Sequence, residues 1–286
     1  PPRSAPRHHR RADGLSGIIP HFLISRFPFL PQFMQILLSP SKNMVATPDF
    51  RPPFTTRPRF QREAERCALQ MSELSVEELA RTLQTNPQLA ALNKQRYHDF
   101  LDPEPRAAAV LSYTGMTYRH LRPEAFSSAE MDYAQTHLYI TSFLYGLTRP
   151  LDEIKNYRME GNVVLPDHDG QTMFRFWRSR LTDLLLEAVG ADDGVLVNLA
   201  SAEMKQLFDW RRVAREVRVV TPEFLVDKGD KLKNIVVYTK MMRGAVARQI
   251  IVEQPAKPEA LHGITYEGYT FRPELSKGDL WTWVLG

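Results

Sequence analysis

Residues 34–39 read MQILLS, an apolar run that Pro40 ends, and residues 195–200 read VLVNLA. Short, mainly apolar runs of this length are typical of strands that are buried on both faces of a sheet. Between them, residues 171–189 carry apolar side chains at helical spacing, with Gly190 behind them as a stop. The alternation of buried strands with amphipathic helices predicts an α/β domain with a mixed β-sheet and surrounding helices.

Local signals predict further elements around this sheet. Two capping boxes, at residues 75–78 (SVEE) and 127–130 (SSAE), predict the starts of two helices. Residues 216–224 and 234–240 are predicted as strands, and residues 241–252 as a helix. Neither an internal repeat nor a linker interrupts the pattern, which favours a single compact domain.

The first 33 residues differ from the rest in composition. They contain six prolines and five arginines against one acid, Asp13. Because prolines at this density break helices, residues 1–33 are predicted to be a disordered or wrongly assigned N-terminal extension, with Met34 as the first residue of a domain at 34–286. The remaining chain holds 32 basic and 32 acidic residues, so the net charge of +4 is no guide to the domain. A polyanionic partner has to be argued from local clusters.

Composition excludes several classes of protein. With 43% hydrophobic and 24% charged residues, the chain is neither collagen-like nor wholly disordered. No run of about eighteen apolar residues occurs, so neither a membrane-spanning helix nor a membrane partner is predicted. The lone Cys67 excludes an intrachain disulfide and a cysteine-built metal site, and it favours a reducing, cytoplasmic setting. Phosphate-binding glycine loops, a nucleophile elbow and zinc-ligand spacing do not occur, so the sequence predicts no cofactor and no metal and identifies no catalytic motif.

Residues 231–252 contain no acid, and they hold Lys240, Arg243 and Arg248. These cations lie where a predicted strand gives way to a predicted helix, and Gly244 would allow another backbone to approach closely. Because the charges interleave with apolar residues, a solvated polar face explains them poorly. The segment is therefore a candidate surface for a polyanion.

Residues 144–150 read LYGLTRP, which fits the turn of a helix–hairpin–helix. Gly146 would end the helix that the second capping box begins, and Pro150 suits the first position of a second helix. The N–H groups at the start of that second helix can bind a phosphate, to which Arg149 would add charge. A plain glycine-terminated helix with a proline stop fits the same spacing, so both interpretations stand at this point.

Polar side chains follow two of the predicted strands. Asn198, Ser201 and Glu203 lie at or after the end of one strand, and Lys42 follows the other. Ligands of α/β sheets usually bind at such carboxyl ends, so we expect Lys42, Asn198 and Lys240 to lie close together. Capping of the strand end and of a following helix by Ser201 and Glu203 is the alternative.

Several of these segments, in this order along the chain, resemble the YaaA family of peroxide-stress proteins, also called the DUF328 or UPF0246 family. The resemblance runs over residues 34–271 and departs from the family pattern at residues 115–116 (GM) and 241–242 (MM), where the family is more polar. The matching segments are ILLSPSK (36–42), RYHD (96–99), LYGLTRPLD (144–152), YRME (157–160), FW (176–177), VNLAS (197–201), YTK (238–240), RG (243–244) and EGY (267–269).

The resemblance implies a single α/β domain with a basic cleft and a helix–hairpin–helix motif, which bind double-stranded or branched DNA. It also implies a function in the peroxide stress response, in which the protein protects DNA from oxidative damage and helps to limit unincorporated intracellular iron. No catalytic activity is generally assigned to the family. The residues then expected to contact DNA are Lys42, Tyr145, Gly146, Arg149, Arg158, Lys240, Arg243 and Arg248.

An enzyme that acts on nucleic acid or on a small anionic substrate is the alternative function. Lys42 or Lys240 would be its nucleophile or base, and Asn198, Ser201 and Glu203 would orient the substrate. The two functions differ in geometry. A binding protein needs an open basic groove, whereas an enzyme needs these side chains to converge in a closed pocket.

Overall fold

The computed structural model describes residues 34–103 and 105–286, so the predictions for residues 1–33 lie outside the described residues. The strands of the described part are β1 (Gln35–Leu38), β2 (Ala107–Ala108), β3 (Leu138–Ser142), β4 (Gly146–Thr148), β5 (Glu153–Ile154), β6 (Val195–Leu199), β7 (Arg218–Asp227), β8 (Leu232–Lys233), β9 (Tyr269–Phe271) and β10 (Leu280–Leu285). Its α-helices are α1 (Gln61–Glu73), α2 (Val76–Thr82), α3 (Pro87–His98), α4 (Ala109–Ser112), α5 (Met116–Leu121), α6 (Ser128–His137), α7 (Met173–Gly190), α8 (Trp210–Glu216) and α9 (Val236–Glu253).

Eight of these strands form one mixed sheet, which confirms the predicted α/β fold. Their order is β4-β3-β1-β6-β7-β10-β9, with β8 paired to β7. The strands from β3 to β10 in this order pair in parallel, whereas β4, β8 and β9 are antiparallel to their neighbours. β2 and β5 form a separate two-stranded ribbon. The described residues belong to one compact unit, as predicted.

β1 lies at the point where the strand order reverses direction. Leu37 is in register with Tyr139 of β3 on one side and with Asn198 of β6 on the other. The chain therefore leaves β1 toward β3 and later returns on the opposite side as β6. At such a switch point the loops after neighbouring strands diverge and leave a crevice at the carboxyl ends of the strands.

The strongest helix signals of the sequence are confirmed. The Ser75 hydroxyl accepts a hydrogen bond from Glu78 N–H while the Glu78 carboxylate accepts one from Ser75 N–H, and Ser127 and Glu130 repeat the arrangement. These reciprocal bonds satisfy N–H groups that the helix itself cannot pair. The predicted helix over residues 171–189 is α7, which buries one apolar face under the sheet.

The predicted strand over residues 234–240 is wrong. Residues 236–240 are the start of α9, and the first three of them are 64%, 43% and 38% exposed. A short apolar run fits a helix as well as a strand, so the pattern alone does not decide between the two. Gly244 does allow a close backbone approach, as expected. A Cβ at this position would overlap the Thr117 carbonyl of α5, so the glycine lets the two helices cross in contact.

The predicted helix–hairpin–helix at residues 144–150 is also wrong. Instead, β3 and β4 form a β-hairpin, and a turn at residues 143–145 joins them. The Ser142 hydroxyl accepts hydrogen bonds from Leu144 N–H (3.1 Å) and Tyr145 N–H (2.9 Å), which fixes the turn. Gly146 has a φ of +72°, so it supplies the positive φ that the sequence pattern assigned to a helix end.

Candidate functional site

A cavity of about 670 Å³ opens at the carboxyl ends of β1 and β6. Ser39 and Ser201, which follow these two strands, both line it. The Ser201 N–H donates a hydrogen bond of 2.9 Å to Ser39 Oγ, which ties the two strand ends together. The cavity therefore lies where α/β sheets usually bind ligands.

Positive charge dominates the lining of this cavity, which we call the cationic cavity. Among the described residues that line it, Glu203 is the only acid. The loop after β1, the helices α5 and α9, and the segment that follows β5 each contribute cations. These cations are Lys42, Arg119, Arg158, Lys240 and Arg243.

Glu160 lies beside the cationic cavity and neutralises part of its charge. Its carboxylate accepts two hydrogen bonds of 2.9 Å from Lys42 Nζ and lies 3.1 Å from Arg158 Nη2. The Nε of Arg158 is buried and has no hydrogen-bond partner among the described residues. One carboxylate thus holds two of the five cations.

Arg243 is a partly buried cation without a carboxylate partner. In the described part of the chain, no acid lies within ion-pair distance of Arg119, Lys240 or Arg243. Burial lowers the pKa of Arg243, and burial together with the charge of Arg243 lowers the pKa of Lys205 beside it. A guanidinium nevertheless stays charged at neutral pH, so its desolvation remains unfavourable until an anion compensates for it.

The first turn of α9 adds further positive potential. Its N-cap residue is Ile235, whose side chain cannot accept a hydrogen bond, and no side chain caps the turn. Val236 and Val237 belong to this turn and line the cationic cavity while remaining 64% and 43% exposed. The unpaired N–H groups and the positive end of an 18-residue helix therefore lie at the mouth of the cavity.

A second cavity, of about 550 Å³, adjoins the first at Lys42 and Glu203, which line both. Arg81 and Gln84 line it where α2 gives way to α3. Gln84 has a φ of +47°, which turns the chain sharply between the two helices. A continuous depression thus runs from the start of α9 to the turn between α2 and α3.

Residues 34–275 match the sequence profile of the family described as peroxide stress protein YaaA. The chain belongs to the YaaA family. A UPF0246 protein of Bacteroides thetaiotaomicron is 52% identical over 244 residues, which are 85% of this chain and 95% of that protein. UPF0246 proteins of Phocaeicola vulgatus and Porphyromonas gingivalis are 48% and 44% identical over 239 and 256 residues, which cover 83% and 88% of this chain and 94% and 100% of theirs. The resemblance stated from the sequence is confirmed.

This YaaA-family chain brings most of the predicted site residues to one place. Asn198 lies next to them, at the carboxyl end of β6, but its side chain is only 2% exposed. Its Oδ1 accepts a hydrogen bond of 3.3 Å from Ala200 N–H, and its Nδ2 has no partner among the described residues. The predicted residues that line the cationic cavity are Lys42, Arg158, Ser201, Glu203, Lys240 and Arg243.

Sequence reasoning missed three residues of the site in this family member. Ser39 follows β1 directly, so its position at a strand end was a usable signal. Glu160 stands in the matching segment at residues 157–160, but its contact with Lys42 spans more than a hundred residues and leaves no local pattern. Arg119 is exposed on a short helix and has no sequence signal at all.

Four residues that were expected to contact DNA lie outside the cavity lining. Tyr145 and Gly146 are buried in the β3–β4 hairpin, where the Tyr145 hydroxyl accepts a hydrogen bond of 3.0 Å from Lys155 N–H. Arg149 lies near the amino end of β1, and Arg248 donates hydrogen bonds of 3.1 Å to two carbonyls at the end of α5. The β-hairpin removes the helix–hairpin–helix on which the assignment of Tyr145, Gly146 and Arg149 to DNA rested, whereas the assignment of Arg248 stays a prediction.

The side chain of Arg149 makes its contacts within the fold. It donates hydrogen bonds to the Thr136 carbonyl (2.7 Å) and to the Tyr139 hydroxyl (2.6 Å). Its guanidinium also lies 3.6 Å from the centre of the Tyr139 ring. These contacts link the strand end after β4 to the junction of α6 and β3.

Cys67 lies apart from the cavity, in α1. Burial raises the pKa of its thiol to about 12, and its Sγ lies 3.8 Å from His168 Nε2. The thiol is therefore protonated at neutral pH and a poor nucleophile. The described residues contain no cluster of three or more side chains suited to a metal ion, and no helix among them combines the length and apolarity of a membrane span.

Proposed function

We propose that this chain is a cytoplasmic DNA-binding protein of the peroxide stress response, and that its partner is double-stranded or branched DNA. The observation that carries the proposal is a group of three cations at one cavity, Arg119, Lys240 and Arg243, with which no carboxylate of the described residues forms an ion pair. Phosphate groups would supply the missing negative charge for Arg119, Lys240 and Arg243. Membership of a peroxide-stress family supports the biological setting.

Protection by binding fits this chain better than removal of peroxide through a thiol. Cysteine peroxidases react through an exposed thiolate, whereas the only cysteine of this sequence is buried with a raised pKa. We expect Cys67→Ser to leave DNA binding unchanged and to leave the rate of peroxide consumption by the purified protein at background.

Salt titration of DNA binding tests the proposal. We expect Lys240→Gln and Arg243→Gln each to weaken binding to all duplex sequences alike and to flatten the slope of log affinity against log salt by about 0.9. The matched control is Arg62→Gln, because Arg62 is exposed on α1 and lines neither cavity. Melting curves of each variant check that the fold is intact.

The slopes separate the outcomes. If the cavity variants and the Arg62 variant reduce the slope equally, binding depends on net charge alone and the cationic cavity is not the interface. If the parent protein binds no duplex at low salt, the proposed function is wrong.

An enzyme that acts on nucleic acid or on a small anionic substrate is the second candidate function. The size of the cationic cavity favours it, since small-molecule sites usually measure about 300–1,000 Å³ and this cavity of about 670 Å³ lies within that range. Lys42 and Lys240 supply the amines, although Lys42 Nζ already donates hydrogen bonds to both carboxylate oxygens of Glu160. Incubation with labelled duplex and with nucleotides should then yield a product that Lys240→Gln no longer forms.

The proposal extends to iron, as the family resemblance implies. Cells that lack the protein should contain more unincorporated iron after peroxide treatment, as measured by whole-cell electron paramagnetic resonance. A strain that carries Arg243→Gln should reproduce the effect if it depends on DNA binding. A normal iron level in that strain would show that the effect on iron does not depend on DNA binding.

A further inference from the structure

We propose that the cationic cavity receives a single unpaired nucleotide, with its base inside and its flanking phosphates on the cations at the mouth. The proposal rests on the proposed DNA-binding function and names what enters the cavity. The size of the cavity, the buried apolar side chains and exposed cations of its lining, and a serine hydroxyl that can donate to a base edge support it.

Size excludes a duplex from the interior. A cavity of about 670 Å³ has the volume of a cube roughly 9 Å on a side, whereas the major groove of DNA alone is about 12 Å wide. A drug-sized ligand, such as one nucleoside with its phosphate, fits a site of this volume. Duplex DNA could therefore lie across the mouth while one nucleotide leaves the stack and enters.

The floor of the cavity is apolar and buried. Phe143, Met159 and Met204 line it with exposures of 4%, 4% and 5%. An aromatic ring and polarisable thioethers pack well against the face of a base of any identity. The floor thus provides the surface that a base needs once it has lost its stacking neighbours.

The mouth is charged and exposed. Lys42, Arg119 and Lys240 line the same cavity, but their side chains reach solvent. Buried apolar side chains and exposed cations in one lining match a nucleotide whose base enters the cavity and whose flanking phosphates stay at the mouth.

One polar group at the strand ends is available to a base edge. The Ser39 side chain lines the cavity, and its hydroxyl accepts a hydrogen bond from Ser201 N–H, so its own hydrogen can be donated to a ligand. An acceptor on the base edge would therefore have a partner where the strands end.

Base extrusion can be measured with 2-aminopurine, whose fluorescence rises when it leaves the stack. We expect a several-fold rise when the parent protein binds a duplex that contains one 2-aminopurine, and a larger fractional occupancy when the probe is opposite a mismatched base, because extrusion then costs less. Val237→Trp should abolish the rise per bound duplex, because the indole would fill the cavity.

The matched control is Val252→Trp. Val252 lies on the same helix and is 41% exposed, close to the 43% of Val237, but it does not line the cavity. A second measurement uses thymidine 5′-monophosphate as a competitor, which should suppress the rise at concentrations where inorganic phosphate has no effect. This comparison does not depend on the folding of any variant.

The outcomes distinguish the two proposals. Duplex binding without any rise in emission refutes nucleotide insertion and leaves the DNA-binding function standing. An equal rise in Val237→Trp and Val252→Trp, or equal competition by the mononucleotide and by phosphate, also refutes insertion. Failure of the parent protein to bind any duplex refutes both.

Discussion

The β3–β4 hairpin, residues 138–149, and the cationic cavity each contain an arginine that the sequence assigned to DNA. They differ in whether other groups of the protein compensate for the charge of that arginine. Burial lowers the pKa of Arg149 at the end of the hairpin and of Arg243 in the cavity. For Arg149, the hydroxyl of Tyr139 and the nearby charge of Asp152 oppose this effect, whereas nothing opposes it for Arg243. A cation that the fold already satisfies is part of the structure, and one that it leaves unsatisfied is a candidate for a ligand.

The largest effect is expected in the hairpin, from Gly146→Ala. A Cβ there would lie 2.8 Å from the Trp177 ring, and the φ of +72° is unfavourable for any side chain. We expect a loss of about 3–4 kcal/mol in the free energy of unfolding, from overpacking and backbone strain together. Urea denaturation measures the loss, and DNA affinity per folded molecule should not change.

Gly170→Ala is the matched control for this change. Gly170 has the same φ of +72°, but nothing lies within 4 Å of a Cβ placed there. We expect it to cost only the strain, about 1–2 kcal/mol. Equal losses in the two variants would mean that the contact with Trp177 contributes nothing and that the hairpin is less firmly packed than the structure indicates.

Arg149→Ala tests the same hairpin, with a smaller expected loss in the free energy of unfolding. The change removes two hydrogen bonds and the contact with the Tyr139 ring, so we expect a loss of about 2 kcal/mol. We expect the salt slope of DNA binding to stay at the parental value, because Nη1 and Nη2 of Arg149 both donate hydrogen bonds within the fold. A flatter slope with an unchanged melting temperature would contradict the structural role and return Arg149 to the interface.

Some strands could be predicted from the sequence, whereas the β3–β4 hairpin could not. Residues 34–39 and 195–200 were predicted as buried strands because each is a short apolar run with a clear stop. Gly146 was ambiguous, since a positive φ is needed both at a helix end and in a β-turn, and only the pairing of β3 with β4 decides between them. Local patterns carry no information about that pairing.

The position of part of the site could also be predicted from the sequence, but its ion pairs could not. Lys42 and Ser201 follow strands, and strand ends in a parallel sheet meet at one edge, so their proximity could be expected. The ion pair between Lys42 and Glu160 joins segments that are far apart in the sequence, and Arg243 has no such pair within the described part of the chain. Charge can be counted in a sequence, but the partner of each charge cannot.

Glu160→Gln tests whether the cations of the cationic cavity bind DNA more tightly when their carboxylate is removed. The change would release Lys42 and Arg158 from their shared carboxylate, so we expect duplex binding to tighten by roughly fivefold at low salt, about 1 kcal/mol, with a salt slope steeper by about one unit. Glu187→Gln is the control, because Glu187 is exposed near Arg149 at the opposite edge of the sheet. Equal tightening in both variants would show that overall charge, rather than the release of these two cations, governs binding.

His168 has a buried nitrogen without a hydrogen-bond partner among the described residues, but it lines neither the cationic cavity nor the cavity beside it. Its titration is expected to give the smallest effect on stability. Its Nδ1 is buried without a hydrogen bond among the described residues, and its ring stacks 4.0 Å from that of Phe176. Burial lowers the pKa of His168 below the usual 6.5, although the charge of Asp167 opposes the shift. The neutral ring is therefore the native form.

Because the folded pKa is the lower one, the unfolded chain binds more protons between the two values. Stability from His168 is then complete above about pH 6.5 and falls as the pH drops through the lowered pKa. Denaturation midpoints at pH 7.5, 6.5 and 5.5 should decrease more for the parent than for His168→Phe, in which this position no longer titrates. Carboxylates titrate in both proteins, so the difference between the two curves isolates the histidine. If the curves stay parallel, the protonated form of His168 is tolerated in the fold, and burial of this ring does not contribute to the pH dependence of stability.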